Sequence, residues 1–236
     1  PMDIWHGATL TLGDEMVAFD CSADGSVIVG EDRFSLAAVV NGMGVGGWQT
    51  TARAVTASGG HVVGARDFRP VRWRTPFLEE TVLPLPAPFG RGIASDVTAD
   101  ASTVVIDAWT EGATTQYATL LWRAGIGTIT LTSHLERRGV VVPSGARAFF
   151  DVRLSDDGRV FAGNMTSADF TGVRVFVASL PCRADFNSDG ELTFDDVASF
   201  AAQYNAQTLR ADLNEDNEWT FEDVQLFIAA FNAQEC

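Results

Sequence analysis

Ser22-Ala23-Asp24-Gly25-Ser26-Val27-Ile28-Val29-Gly30 reads as a polar turn running into an apolar strand. It returns three times, as Thr56-Ala57-Ser58-Gly59-Gly60-His61-Val62-Val63-Gly64, Thr98-Ala99-Asp100-Ala101-Ser102-Thr103-Val104-Val105-Ile106 and Ser155-Asp156-Asp157-Gly158-Arg159-Val160-Phe161-Ala162-Gly163. Strand, polar turn and apolar strand together are a hairpin signal. A Trp- or Phe-centred strand usually follows: Pro70–Arg74, Ala118–Arg123 and Val173–Val177. The starts at 22, 56, 98 and 155 lie 34, 42 and 57 residues apart. A mean of about 44 suits a four-stranded propeller blade. Such sheets pack face on face, so the repeats share the burial of apolar surface. Trp5 looks like the tail of an earlier repeat, and Pro1 is not an initiator methionine. The expectation is a fragment that begins inside a blade and forms an open arc with exposed sheet edges.

These repeats resemble the HAF-type repeats of bacterial secreted proteins, in which Ser-x-Asp-Gly-x-x-x-x-Gly precedes an Ala-Phe-x-Trp strand. Asp24, Asp100, Asp156 and Asp157 recur at the turns, where Asp favours the backbone geometry, and are read as turn formers rather than acids. Cys21 ends the strand-like run Val17-Ala18-Phe19-Asp20-Cys21 and is expected to be buried and inert.

The 236 residues carry 31 acids against 16 bases, a net charge of −15, and every base is arginine. That balance argues against binding nucleic acid through phosphate neutralisation and against anionic membrane surfaces. No apolar run approaches the roughly 20 residues of a spanning helix. The acidity is uneven. Residues 181–236 hold twelve acids and two arginines, −10, whereas residues 1–180 carry −5. The break near Leu180-Pro181-Cys182 predicts a β-propeller-like repeat domain over 1–180 and a small calcium-binding domain over 181–236.

Asp185–Ala206 aligns with Asp212–Ala233 at an offset of 27, with 12 of 22 positions identical. Each copy opens with oxygen-bearing side chains on alternate residues. In the first they are Asp185, Asn187, Asp189, Glu191, Thr193 and Asp196; in the second, Asp212, Asn214, Asp216, Glu218, Thr220 and Asp223. These are positions 1, 3, 5, 7, 9 and 12 of an EF-hand-like loop, suited to a hard cation that takes six to eight oxygens. Position 7 usually offers its backbone carbonyl, so the Glu191 side chain need not be a ligand. Gly190 at position 6 permits the sharp turn, and Asn217 is the next best residue there. Position 12 is Asp in both copies, one methylene shorter than the usual Glu. The reading is two calcium ions, one per loop. The alternative is a solvated acidic surface, which leaves the in-register Phe194/Phe221 and Val197/Val224 unexplained. Phe194, Val197, Phe200, Ala201 and Tyr204, and then Phe221, Val224, Phe227, Ile228 and Phe231, predict one apolar stripe per exiting helix. No equally clear helix precedes either loop.

Loop plus exiting helix, twice, resembles the dockerin module, specifically the planctomycete C-terminal type, over residues 182–236. The carriers are Ala184-Asp185-Phe186-Asn187-Ser188-Asp189-Gly190 with Phe194-Asp195-Asp196-Val197, then Ala211-Asp212-Leu213-Asn214-Glu215-Asp216, and the closing Phe231-Asn232-Ala233 with Cys236. The resemblance implies a small all-α module and a cohesin-like partner. Its contacts would be Phe194, Asp195, Ser199, Phe221, Glu222 and Leu226. Phe at position 10 departs from the small polar contact residue of cellulosomal dockerins. A Cys182–Cys236 bridge would tie the ends of the module and place the chain in an oxidising, extracellular or cell-surface setting. The alternative is two unpaired thiols.

Catalytic signals are few. His6, His61 and His134 sit in unrelated contexts, and Glu79-Glu80 reads as a solvated acidic pair in a Pro-rich connection. Arg72, Arg74 and Arg123 adjoin tryptophans and read equally as stacking groups for a sugar or as a solvent-facing strand edge. There is no nucleophile elbow, phosphate loop or zinc cluster. Three readings follow. The first is a secreted, non-catalytic repeat protein anchored or sorted by a calcium-dependent module, with a glycan or protein ligand on the repeats. The second is a fragment of a polysaccharide-degrading hydrolase or lyase. The third is a structural cell-surface component.

Overall fold

The computed structural model describes residues 16–32, 38–40, 43–45, 50–75, 79–112, 115–167 and 172–234. Trp5, His6 and Cys236 lie outside them. Strands β1 (Met16–Cys21), β2 (Ile28–Asp32), β3 (Ala38–Val40) and β4 (Met43–Val45) form one antiparallel sheet. The next sheet is β5 (Thr50–Val55), β6 (His61–Arg66), β7 (Arg69–Arg74) and β8 (Glu79–Val82). The third is β9 (Arg91–Val97), β10 (Thr103–Trp109), β11 (Tyr117–Arg123) and β12 (Gly127–Thr130). Helix α1 (Leu131–Arg137) follows, and then a three-stranded sheet of β13 (Ala146–Leu154), β14 (Val160–Ser167) and β15 (Arg174–Ser179). The chain ends in α2 (Phe194–Asn205), a 3-10 turn at Leu209–Ala211 and α3 (Phe221–Ala233).

Every sheet is a meander in chain order, as expected of blades, and each repeated turn joins its first two strands. The first strand of each sheet packs on the sheet before it: β5 against β1–β3, β9 against β5–β7, β13 against β9–β11. Among the described residues no comparable packing joins the fourth sheet to the first, so the four form an arc. Each interface holds its own core. Val29, Val62 and Trp73 fill the first, Val63, Leu83 and Val104 the second, and Leu121, Leu131 and Phe161 the third. The 57-residue interval before the last repeat is long because α1 is inserted there, a helix the repeat pattern does not show.

Turn chemistry fixes the hairpins. Asp24 Oδ1 accepts from the Ser22 hydroxyl at 2.7 Å and the Ser26 amide at 3.0 Å. Asp100 repeats this with Thr98 and Ser102. In the fourth copy Asp157, not Asp156, takes the role, accepting from Ser155 and the Arg159 amide. Asp156 instead offers its backbone carbonyl to the Ala99 amide of the neighbouring sheet at 2.9 Å. The carboxyls of Asp24, held down at about 2 by Ser22 and Ser26, and of Asp157, lowered by Ser155, behave as turn acceptors.

A second set of aspartates joins sheets, and the repeat template does not announce them. The pairing of β1 with β2, of β5 with β6 and of β9 with β10 each slips by one residue near the turn. Such a bulge re-aims the residue after it. Asp20 therefore accepts from the Val55 amide of the next sheet at 2.9 Å, and Asp96 from the Leu154 amide at 2.8 Å. Val55 and Leu154 hold equivalent places, each just before its repeat turn. Burial raises the Asp96 carboxyl above its ordinary range, against the hydrogen bonds from Leu154 and Val97. Asp96→Ala leaves two amides without their acceptor and is expected to cost about 1–3 kcal/mol. The urea midpoint will fall with the slope unchanged. A midpoint equal to that of the parent would remove Asp96 from the account of sheet docking.

Several expectations change here. Cys21 is exposed and carries a free thiol rather than being buried, because it borders the turn. Glu79 and Glu80 are not a loop pair. They lie in β8, where Glu80 accepts from Trp73 Nε1 at 3.0 Å and pairs with Arg66 at 2.9 Å. Trp73 is core, 2% exposed. Arg72 lies over the Trp122 ring and donates to the Ala101 carbonyl at 3.0 Å, tying the second sheet to the third.

Candidate metal centre

The two acidic loops fold as near copies. Gly190 and Asn217, both at position 6, take positive φ values of 85° and 66°. Ser188 and Glu215, both at position 4, do so at 62° and 64°. Each loop turns its amides inward onto its first and last carboxylates. Asp185 accepts from the Asp189 and Gly190 amides at 3.2 and 3.0 Å, and Asp212 accepts from Asp216 and Asn217 at 3.1 and 3.0 Å. Asp196 accepts from Asn187 and Thr193; Asp223 accepts from Leu213, Asn214 and Thr220. Asp196 and Asp223 thereby complete capping boxes with Thr193 and Thr220 at the starts of α2 and α3. The same residues whose spacing suits a cation also start the helices.

In the first loop Asp185, Asp189 and Asp196 each bring a carboxylate oxygen within 4.8 Å of the others. Asp185 and Asp196 are buried and Asp189 is exposed, so the group opens to solvent on one side. The donors are all oxygen, which fits a hard divalent cation, and like charges this close are best relieved by one. This cluster could hold a metal ion, and it is the one such group among the described residues. Asn187 closes the loop, donating to Asp189 at 2.8 Å. Glu191 and Glu218 are exposed, with their amides bound to Asp189 and Asp216. Thr193 and Thr220 accept from the Asp195 and Glu222 amides as helix caps.

The second loop meets the β region. Arg137, the last residue of α1, forms an ion pair with Asp212 and donates to Asn217 Oδ1 at 2.5 Å. Arg123, the last residue of β11, pairs with Glu215. Burial pushes the Glu215 carboxyl up, yet His134 and Arg123 more than offset it and hold it at about 2. His134 Nδ1 faces Glu215 at 3.7 Å, and burial lowers the imidazole's affinity for a proton while Glu215 raises it. Sequence reasoning set His134 aside, and nothing local could link residues about 80 positions apart.

The helical region has its own pseudo-symmetric core. Phe200 and Phe227, equivalent at the offset of 27, stack at 4.2 Å with an interplanar angle of 1°. Phe186, Leu213, Ala184 and Ala211 from the loops complete it. Arg183 and Arg210 are also equivalent, and each reaches the other copy's loop: Arg183 to the Leu213 carbonyl, Arg210 to the Asp185 carbonyl. Phe194 and Phe221 are not in this core. They are 79% and 67% exposed, because a capped helix starts its first residue on the outer face. Cys182 is disulfide-bonded.

No family model and no curated protein matches the chain. Solved structures give a distant likeness. The TolB-designated structure from Agrobacterium tumefaciens aligns at 16% identity and a TM-score of 0.48, over 68% of this chain and 60% of that one. TolB from Acinetobacter baumannii aligns at 12% and 0.47, over 70% of this chain and 41% of that one. This chain thus spans less than two thirds of either.

Proposed function

We propose that this is a secreted, non-catalytic repeat protein whose C-terminal dockerin-like module, residues 181–236, anchors it to an extracellular or cell-surface partner. Calcium bound in the first loop orders that module. The observation that carries the reading is the converging Asp185, Asp189 and Asp196 cluster in a loop that also caps α2. Calcium there would neutralise the carboxylates and stiffen the helix start, while the protein supplies the oxygens and the turn. The exposed, symmetry-equivalent Phe194 and Phe221 suit a cohesin-like partner that reads either half of the module. The disulfide at Cys182 agrees with an oxidising compartment.

The test is calorimetric titration of the full chain with calcium, alongside melting curves in calcium and in chelator. One ion is expected, with a melting temperature that rises with free calcium. Asp185→Ala is expected to abolish that binding and flatten the dependence. Binding unchanged in Asp185→Ala, or absent from the parent, would overturn the calcium reading. Phe194→Ser and Phe221→Ser together are expected to leave calcium binding intact and reduce capture by an immobilised cohesin domain.

A further inference from the structure

A cavity of about 650 Å³ lies between the third and fourth sheets, on the side of the repeat turns. Its walls include the 98–103 and 156–159 turns, the end of α1 and the segment that leaves β15. Four of the chain's sixteen arginines line it: Arg123, Arg138, Arg159 and Arg183. Arg123 is committed to Glu215, and Arg183 to the Leu213 carbonyl. Among the described residues no hydrogen bond or ion pair holds the guanidinium groups of Arg138 and Arg159, although the charge of Glu215 acts on Arg138 and that of Asp157 on Arg159. Asp100 and Asp157 also line the recess, but their oxygens serve their own turns.

The geometry points to a binding site for a small organic anion, whose carboxylate or phosphate bridges Arg138 and Arg159. A planar guanidinium holds either group through paired N–H donors. The volume suits a ligand the size of a sugar acid or sugar phosphate, and the Asp156 carboxylate on the wall can accept from its hydroxyls. Burial lowers the Arg138 guanidinium to about 10, and the charges of Arg183 and Arg123 add to this. The free protein thus holds a partly desolvated cation that an anion would relieve.

The test is calorimetric titration of the full chain with glucuronate, glucose 6-phosphate, inorganic phosphate and glucose. At least one of the two sugar anions is expected to bind, with affinity falling as salt rises, and glucose is not. Whichever of the two binds identifies the group, and inorganic phosphate will bind more weakly than the sugar anions. Arg138→Gln and, separately, Arg159→Gln are each expected to weaken binding at least tenfold. The melting temperature of the free Arg138→Gln protein should stay level or rise, because the change relieves repulsion. Binding of neither sugar anion, equal binding of glucose, or full affinity in both variants would overturn the assignment. Arg159 belongs to a different element, the turn before β14, so its variant decides the matter if Arg138→Gln folds poorly.

Discussion

Arg137→Met is expected to destabilise the protein in chelator by about 3–5 kcal/mol, the usual result of leaving a buried charge without its partner. Asp212 is 2% exposed and Arg137 7% exposed, so water cannot readily replace the lost cation. Calcium should reverse much of the loss. The second loop has the same inward amides and the same positive-φ turn as the first, and lacks mainly a vacant first carboxylate. On the proposed calcium reading, arginine and calcium would be rivals for Asp212. Removing the arginine will therefore raise the calcium stoichiometry from one to two, and the melting gap between parent and variant will be smaller in calcium than in chelator. Two ions in the parent protein, with no change in Arg137→Met, would show that the arginine does not compete. The seam is not uniformly strong: His134 Nδ1, Arg137 Nε and Glu215 Oε2 are buried without hydrogen-bond partners. That lowers the net cost of parting the two regions.

The same rivalry shows what sequence can carry. The turns and caps of the loops were legible because their chemistry is local: oxygen-bearing side chains on alternate residues, a Gly or Asn at position 6 and a Thr-x-x-Asp cap all fall within 12 residues. The repeat turns were legible for the same reason, since Ser22, Asp24 and Ser26 bond to one another. What holds these units together was not. Arg137 reaches Asp212 and Arg123 reaches Glu215 across 75 and 92 residues. Helical periodicity placed Phe194 and Phe221 in the apolar stripe, but a stripe's first member lies inside only when the preceding turn is covered. The role of Asp20 and Asp96 depends on a bulge, which no side chain in the motif encodes. In the first and second sheets the glycine that ends the motif, Gly30 or Gly64, lies beside the bulge, whereas the third sheet makes the same slip with Ile106 in that place.

Gly64→Ala tests that placement and is expected to be among the most disruptive substitutions in the sheets. A Cβ there would lie 1.9 Å from the Thr51 carbonyl oxygen and 2.9 Å from Ala52 Cα. Both obstacles are backbone, so no rotamer change relieves them. Gly64 pairs with Ala52 beside the bulge, and β5 carries the buried Ala52, Ala54 and Val55 into the cores on both sides. Moving β5 away would break ladder hydrogen bonds and open two interfaces together. The expected loss exceeds about 4 kcal/mol, in the range reserved for a few severe mechanisms. Gly163, at the same motif position in the fourth sheet, supplies the control. Its added Cβ would stand 3.0 Å from Val152 Cα, a contact that a few tenths of an ångström relieve. The pairing of β13 with β14 also slips by one residue there, with Asp151 and Val152 opposite Gly163 between the Phe150–Asn164 and Arg153–Ala162 pairs. Gly163→Ala should therefore remain folded with a modestly lower urea midpoint, while Gly64→Ala unfolds or nearly so. Equal losses would mean that the glycine answers to the turn alone, and the link from motif to bulge to sheet docking would fail.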